Sequence, residues 1–333
     1  METYAFTEER TSLMNVEDIK VIGNIGAGTM GHATALQFAM NGYAVKLVDS
    51  SQEALERGTA LIEHDLDTFI QAGLVQETER QAILDRIRSG TDYAALSDAD
   101  FVIESVLEDM GVKREVWAKV ESVVSEQAVL ATNTSGLSPS AIATVLKRPQ
   151  RFLVAHFWNP AQLMPLVEVV PSKETDKAAV DLTVELINGI GKHAVALSTE
   201  SLGFVGNRIQ AAVIRECMNI VNRGIATPEA VDEIVKYSLG RRWSVLGPIA
   251  SADLGGLDIF DGLSKYMYAD LDNNAGEDPT LKAKVAEGHL GAKTGQGFYS
   301  WQGADSQALI QERDRSLLKA LVDDQKNGGA QER

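Results

Sequence analysis

The chain has 333 residues, a length typical of about two domains of roughly 150 residues each. Hydrophobic residues make up 44% and charged residues 23% of it, as in average globular proteins, which excludes a disordered or low-complexity chain. The formal net charge is −16, so the surface repels phosphate backbones and no nucleic-acid partner is expected.

Cysteine usage and the first residues bear on the compartment. Cys217 is the single cysteine, so no disulfide forms within the chain, and a reducing compartment, the cytoplasm, is expected. Residues 1–18 are polar and acidic, which predicts a leader that is not a signal peptide. No apolar run approaches the ~18 residues of a membrane-spanning helix, so no membrane partner is expected.

Strands and helices alternate through the first 200 residues. Apolar runs predict strands at 19–22, 43–48, 100–106, 128–132, 151–157, 166–170 and 194–197. Helical periodicity predicts helices that end near residue 41, extend over 51–88 with a break at Gly73, and cover 112–124 and 175–190. This alternation predicts a parallel sheet with helices on both faces.

The pattern changes near residues 198–202. Segments 204–221, 228–238 and 257–271 are predicted helices, and no strand pattern of comparable length follows. The predicted fold is therefore an α/β Rossmann domain followed by an all-α domain. Its bounds are a leader at 1–18, the Rossmann domain at 19–200, the helical domain at 201–302, and a polar tail at 303–333. One amphipathic helix in the tail is expected to dock through Leu309, Ile310, Leu317, Leu318 and Leu321.

A glycine-rich loop follows the first strand. Gly26, Gly28 and Gly31 satisfy the pattern G-x-G-x-x-G. The first glycine permits a tight turn, the second lets the backbone approach a pyrophosphate, and the third lets the helix lie against the strand. Thr29 and Met30 complete the loop at the start of this helix, whose amides face the phosphate charge. A glycine-rich turn without a ligand is the alternative for the motif taken alone.

Asp49 supplies the second half of this fingerprint. It ends the next predicted strand, 18 residues after Gly31, where a carboxylate can bind the ribose hydroxyls. The same carboxylate repels a 2′-phosphate, and no Arg or Lys follows before Arg57. We therefore predict that the domain of residues 19–200 binds NAD rather than NADP.

His156 and Glu168 lie on the two strands that flank a turn centred on Gln162. They are 12 residues apart and equidistant from that centre. If the strands pair symmetrically, the two side chains lie opposite each other, about 5 Å apart at their Cβ atoms. A carboxylate there fixes the imidazole tautomer and stabilises its protonated form, as a general base requires. A structural His–Glu pair is the alternative.

Five ordered motifs resemble the L-3-hydroxyacyl-CoA dehydrogenase family over about residues 19–301. They are the segments 131–137, 155–160, 166–170, 203–208 and 293–299. The resemblance implies that His156 is the general base, that Glu168 is its partner, and that Ser135 and Asn207 bind substrate oxygens at the reacting centre. It also implies an all-helical domain that dimerises, and hence a homodimer with a small-molecule substrate.

The resemblance further implies a set of residues around the nicotinamide ribose of the cofactor. These residues are Glu108, Lys113, Ser135, Asn159 and Lys293. The implied activity is NAD-dependent oxidation, in fatty acid metabolism, of the 3-hydroxyl group of a short 3-hydroxyacyl-CoA, such as 3-hydroxybutyryl-CoA, to the 3-keto compound.

Two departures from the family pattern favour a different substrate. Residues 58–79 contain no Lys or Arg, but they include Glu63, Asp65 and Asp67, which repel an anionic nucleotide such as CoA. The segment that contains Arg241 and Arg242 resembles that of the branch of the family that acts on free acids, the gulonate dehydrogenases or lambda-crystallins. An arginine there suits a substrate carboxylate, because the guanidinium fork binds a carboxylate in bidentate fashion. A free 3-hydroxy acid held by these arginines is the alternative substrate, and surface or helix-end placement is the alternative for the arginines.

Three further expectations concern the activity, metals and the remaining histidines. A non-catalytic NAD-binding structural protein is a third hypothesis. No Cys/His cluster has the spacing of a metal site, so no metal is predicted. The remaining histidines show no partner at a useful spacing, which predicts ordinary surface or interface roles for His32, His64, His193 and His289.

Overall fold

A computed structural model of the protein describes residues 14–328. The predicted leader, residues 1–18, lies outside the described residues except for its last five positions. The described chain forms two compact units. The first contains the residues up to Val205 together with those from Arg313 onward, and the second is Gly206–Glu312.

Eight strands form one sheet in the first unit. They are β1 (Val21–Ile25), β2 (Ala44–Val48), β3 (Ile87–Gly90), β4 (Phe101–Glu104), β5 (Val129–Thr132), β6 (Phe152–Phe157), β7 (Leu166–Pro171) and β8 (His193–Ala196). Their order is β3-β2-β1-β4-β5-β6-β7-β8. The first six strands are parallel, whereas β7 pairs antiparallel with β6 and parallel with β8. This order confirms the predicted Rossmann-type domain.

Helices cover both faces of this sheet. They are α1 (Gly31–Met40), α2 (Gln52–Gln71), α3 (Arg80–Asp85), α4 (Met110–Glu121), α5 (Pro139–Ala143) and α6 (Lys177–Gly189). Successive strand residues point to opposite faces, so Phe101 and Ile103 join one apolar core while Val102 joins the other. The first core packs against α1, α2, α3 and α6, and the second against α4 and α5.

The segment 51–88 differs from its prediction. Helix α2 ends at Gln71 and the chain turns at Gly73, which has φ 75°, so the predicted break is confirmed. After α3, however, residues 87–90 form strand β3 and are not helical. Ile87 is its one apolar residue, so the sequence carries no strand pattern. The strand forms because its backbone pairs with β2 at the edge of the sheet.

The second unit confirms the predicted all-α domain. Its helices are α7 (Gly206–Asn222), α8 (Pro228–Tyr237), α9 (Leu239–Trp243), α10 (Pro248–Gly255), α11 (Leu257–Met267) and α12 (Pro279–Ala286). Local chemistry sets where they begin: Thr227 caps α8 by accepting a hydrogen bond from Ala230 N, and Pro228 occupies the first turn.

The last helix, α13 (Ala304–Gly328), begins in the second unit and ends in the first. Leu317, Leu318 and Leu321 pack against the first core, whereas Leu309 and Ile310 are exposed. The tail helix thus docks through the second half of its predicted apolar stretch. No helix among residues 14–328 is long and apolar enough to cross a membrane.

Candidate active site

His156, on β6, and Glu168, on β7, lie beside each other in the sheet. The antiparallel register pairs the two residues directly, which confirms the geometry predicted from their symmetric spacing. His156 Nδ1 lies 2.9 Å from Glu168 Oε2, and the two side chains are only 5% and 3% exposed. Because a carboxylate only accepts, Nδ1 carries the hydrogen, which leaves the Nε2 lone pair free to take a proton.

Three groups that the sequence did not reveal surround this pair. Trp158 Nε1 donates to Glu168 Oε2 over 3.3 Å, and Val205 N donates to Oε1 over 3.0 Å. The rings of Trp158 and Phe204 each lie 5.5 Å from the imidazole, and Phe204 is fully buried with φ 54°. Trp158 could have been predicted from its position two residues after His156, because alternate residues of a strand lie on the same face.

A second buried node involves Glu104 at the end of β4. Its carboxylate is fully buried and accepts four hydrogen bonds. The donors are Val106 N (2.7 Å), Lys113 Nζ (2.7 Å), Trp117 Nε1 (3.2 Å) and Thr132 Oγ1 (2.7 Å). No sequence pattern pointed to Glu104, because its partners come from separate elements.

The structure brings three of the predicted nicotinamide-side residues together around this node. Lys113 is 1% exposed and lies between Glu104 and Glu108, with Nζ 3.3 Å from Glu108 Oε2. Glu108 Oε1 in turn accepts hydrogen bonds from Thr134 Oγ1 (2.5 Å) and Ser135 N (2.9 Å). Lys113 is therefore buried between carboxylates, and Glu108 fixes the backbone of Ser135.

The glycine-rich loop has the shape that a dinucleotide requires. Gly26 has φ 92°, and a Cβ there would lie 2.6 Å from the Ser105 carbonyl oxygen. A Cβ on Gly31 would lie 1.8 Å from the Gly26 carbonyl oxygen, so the start of α1 approaches the loop as only glycine allows. Around Gly28, by contrast, a Cβ would meet nothing within 4 Å, and the loop is open there.

The loop also offers free backbone donors. Within residues 14–328, the amides of Gly28, Thr29 and Met30 find no hydrogen-bond acceptor. Unpaired amides at a helix N-terminus attract anionic groups such as phosphates. The residues present therefore fit the pyrophosphate of NAD.

Polar side chains brace the loop from both sides. Asp49, at the end of β2, accepts hydrogen bonds from Ala27 N (2.9 Å) and Ser51 N (3.1 Å), which fix its carboxylate beside the loop. Asn24 donates to the carbonyl oxygens of Gly26 and Gly31. The sequence assigned no role to Asn24, whose buried position on β1 became visible only in the fold.

The structure changes the interpretation of the acidic segment. Asp65 is 8% exposed and lies 3.1 Å from His32 Nε2, and Asp67 pairs with Arg80. Glu63 is exposed and, of these three acidic residues, is the one without a salt-bridge partner among residues 14–328. The expected repulsion of an anionic nucleotide here is correspondingly weaker. The prediction that His32 lacks a partner is wrong, because the partner lies 33 residues away on α2.

The remaining predicted residues lie elsewhere. Asn159 is exposed in the turn between β6 and β7. In the second unit, Asn207 lies in the first turn of α7 and Lys293 is exposed after α12. Arg241 and Arg242 lie exposed on α9, and the Arg241 guanidinium stacks 5.2 Å from the Tyr237 ring. His289 also has a partner, Glu287, at 3.0 Å, which corrects the expectation that it had none.

Lys192 braces the turn that joins the His156 and Glu168 strands. Its Nζ donates to the carbonyl oxygens of Ala161 (2.7 Å), Met164 (3.0 Å) and Gln162 (3.4 Å). The side chain is buried, and this burial lowers the pKa of Lys192 to about 8. No spacing in the sequence indicates Lys192, because its partners are carbonyl groups about 30 residues away.

The fold and these sites define a class of protein, the NAD-dependent dehydrogenases with a Rossmann domain and a helical C-terminal domain. Comparison with known protein families identifies one family over both parts of the chain. The 3-hydroxyacyl-CoA dehydrogenase NAD-binding domain matches residues 21–201, and the C-terminal domain of the same family matches residues 203–301. The chain belongs to the 3-hydroxyacyl-CoA dehydrogenase family.

Two curated relatives show the range of this similarity. A 3-hydroxybutyryl-CoA dehydrogenase of Clostridioides difficile is 36% identical over 278 residues, which cover 83% of this chain and 98% of that protein. A 5-formyl-3-hydroxy-2-methylpyridine 4-carboxylate 5-dehydrogenase of Mesorhizobium japonicum is 31% identical over 301 residues, which cover 90% of this chain and 96% of that one.

Solved structures show the same two kinds of relative. The structure of a 5-formyl-3-hydroxy-2-methylpyridine 4-carboxylic acid 5-dehydrogenase, described as an NAD+-dependent dismutase, superposes with a TM-score of 0.85 at 30% identity, covering 91% of this chain and 97% of that one. The (S)-3-hydroxybutyryl-CoA dehydrogenase of Ralstonia eutropha superposes with a TM-score of 0.72 at 33% identity, covering 86% and 100%.

The buried Lys192 predicts a pH dependence of stability. Its pKa is about 8 in the folded chain and near 10.5 when exposed, so between these values the unfolded chain binds more protons. The unfolding free energy of the wild type should therefore rise with pH relative to that of Lys192→Met, by on the order of 2 kcal/mol between pH 7 and 10. Denaturant titrations of both proteins measure this difference, and parallel pH profiles would contradict it.

Proposed function

We propose that this enzyme oxidises the 3-hydroxyl group of a short 3-hydroxyacyl-CoA to the 3-keto compound, with His156 as the general base. The observation that carries the proposal is the buried pair of His156 and Glu168, 2.9 Å apart, with the imidazole Nε2 left to accept a proton. The 3-hydroxybutyryl-CoA dehydrogenases among the relatives support the substrate class.

The pair can perform one half of the reaction by itself. His156 Nε2 takes the proton of the substrate hydroxyl, and the negative charge of Glu168 stabilises the imidazolium that forms. Bound NAD supplies the acceptor for the hydride that leaves carbon 3. Burial of the pair strengthens this stabilisation, because fewer water molecules screen the two charges.

The other site residues have proposed roles that rest on the glycine-rich loop and on the family resemblance. The amides of the loop, at Gly28, Thr29 and Met30, would hold the pyrophosphate, with Gly26 and Gly31 shaping the turn, while Asp49 would bind the ribose. Glu108, Lys113, Ser135, Asn159 and Lys293 are the proposed nicotinamide side. Ser135 and Asn207 would donate hydrogen bonds to the oxygen that becomes the ketone.

The His156→Ala variant tests the base. Loss of a general base lowers kcat by typically 10²–10⁴-fold, and we expect a fall in this range with 3-hydroxybutyryl-CoA. The dissociation constant of NAD, measured by calorimetry, should change little. Trp158→Phe, which removes one contact to Glu168 and keeps a ring beside the imidazole, serves as the control and should retain most of the activity. Near-normal kcat in His156→Ala would end the assignment.

A free 3-hydroxy carboxylic acid is the second candidate substrate. Its specific support is the TM-score of 0.85 with a dehydrogenase whose name specifies a free pyridine carboxylate, together with Arg241 and Arg242 on α9. Asp65 lies beside His32, and Asp67 pairs with Arg80. The acidic segment therefore repels CoA less than the sequence predicted, which weakens one reason for preferring the free acid. The third hypothesis, a non-catalytic structural protein, is not supported, since the family relatives are dehydrogenases.

Substitution of the arginines separates the two substrates. If one of them clamps a carboxylate, Arg241→Met or Arg242→Met should lower kcat/KM on a free acid by about 10- to 150-fold, the equivalent of ~1.5–3 kcal/mol. The Lys variants keep the charge without the fork and should rescue activity only in part. Steady-state rates with 3-hydroxybutyryl-CoA and with free 3-hydroxy acids provide the comparison. Normal kcat/KM on every acid in both Met variants would remove the free-acid candidate.

We further propose that the enzyme is a homodimer, assembled through its helical unit. Among the described residues, α7 and α9 to α12 contain no buried side chain, and Val231 is the one buried residue of α8. Leu257, Ile259 and Phe260 on α11 are 60%, 57% and 47% exposed. Exposed apolar surface on this scale is typical of an interaction face.

The cytoplasm remains the compartment predicted from the single cysteine.

Charge placed on this face should disrupt assembly. Sedimentation velocity should give the mass of a dimer for the wild type and of a monomer for Ile259→Asp/Phe260→Asp, because a buried unpaired carboxylate opposes association. Gln307→Asp, which adds one negative charge at an exposed polar position, is the control and should remain dimeric. A monomeric wild type, or dimeric behaviour in all three, would contradict the proposed interface.

A further inference from the structure

His32 is a buried residue that the proposed chemistry does not use. It follows Gly31 directly in the first turn of α1 and is 4% exposed. Its Nδ1 lies 2.9 Å from the carbonyl oxygen of Gly28, and its Nε2 lies 3.1 Å from Asp65 Oδ2. A carbonyl oxygen only accepts, so Nδ1 is the donor to Gly28, while Nε2 faces the Asp65 carboxylate. The imidazole thus connects the glycine-rich loop to α2.

Helix α2 is itself fixed against the loop. A Cβ on Gly58 would lie 2.6 Å from the Ala27 carbonyl oxygen, so the helix touches the loop backbone at this glycine. Ile62, Leu66 and Phe69 bury the same helix in the first core. Asp65 therefore holds the imidazole from a rigid support.

The imidazole acts on one particular peptide group. The Gly28 carbonyl oxygen accepts from both His32 N (3.0 Å) and His32 Nδ1 (2.9 Å). In a trans peptide, the carbonyl of Gly28 and the amide of Thr29 share a plane and point in opposite directions. When the carbonyl is held inward, the Thr29 N–H points outward. Gly28 and Thr29 are exposed there, and no described residue accepts this N–H.

We propose that His32 is a positioning residue for NAD: it holds the Gly28–Thr29 peptide so that the Thr29 amide donates to the pyrophosphate. Without this contact the Gly28 carbonyl keeps only the hydrogen bond from the His32 backbone amide, so the peptide is held less firmly, and a tilted carbonyl would turn its negative end toward the phosphates. This inference rests on the proposed placement of the pyrophosphate at residues 28–31. It assigns a function in cofactor affinity to a side chain that does not touch the cofactor.

Two variants separate the two ends of the imidazole. In His32→Asn the side-chain amide nitrogen takes the place of Nδ1 and keeps the contact with Gly28, but it leaves Asp65 buried without its partner. In His32→Gln the amide nitrogen takes the place of Nε2 and keeps the contact with Asp65, but it loses Gly28. The Asn variant should therefore be the less stable of the two in thermal unfolding without NAD.

NAD affinity should be lower in His32→Gln, although His32→Asn is the less stable variant. By calorimetry on the full-length protein, His32→Gln should raise the NAD dissociation constant about 3- to 10-fold, whereas His32→Asn should stay within about 2-fold of the wild type. At saturating NAD both variants should keep a normal kcat, so the effect falls on KM for NAD. A residue with a merely structural role would weaken binding most in the least stable variant.

The control variant tests the placement of the pyrophosphate separately. Gly28→Ala adds a methyl group in open space, so the fold should survive while NAD binding weakens markedly. Unchanged affinity in Gly28→Ala would overturn the placement and the inference with it. Weakened binding in Gly28→Ala with equal effects, or none, in the two His32 variants would overturn the role of His32 alone. If the single variants do not fold, the same pair is made with Asp65→Asn, which removes the buried charge.

Discussion

The carboxylate of Glu104 is the constraint on which the site depends. It ends a central strand, is fully buried, and is satisfied by four donors from the β4–α4 connection, from α4 and from β5. A buried charge that loses one partner costs about 3–5 kcal/mol, so these elements are held in one arrangement. The Lys113 ammonium extends the node to Glu108, and Glu108 fixes Ser135. The residues proposed around the reacting centre thus depend on a polar network built into the sheet.

The pairing of His156 with Glu168 depends on a reversal of strand direction. Strands β1 to β6 are parallel, and a seventh parallel strand would need a long crossover connection, which would separate His156 from Glu168 in the chain. Because β7 instead turns back directly, the two residues face each other across one register position. Lys192, at the start of β8, holds the turn by its carbonyl groups. Three neighbouring elements, β6, β7 and the start of β8, therefore supply the proposed base, its proposed partner and their support.

The two units differ in how they bury apolar residues. The first has two cores, one on each face of its sheet, and α13 adds Leu317, Leu318 and Leu321 to one of them. The second consists of helices whose apolar side chains are largely exposed. A helix that exposes such a surface is stabilised when another surface covers it. The first unit thus buries its apolar residues within itself, whereas the second leaves an apolar surface, the one proposed above for assembly.

The sequence by itself determined the features that depend on local spacing. The glycine pattern, Asp49 after the second strand, and the symmetric placement of His156 and Glu168 about Gln162 all lie within a few dozen residues, so period and spacing reveal them. Which buried polar groups meet became visible only in the folded chain. His32 finds Asp65, and Lys192 finds three carbonyl groups, across separate elements. The energy of such contacts depends on burial and distance in the folded chain, and neither quantity is encoded in the spacing of residues along the sequence.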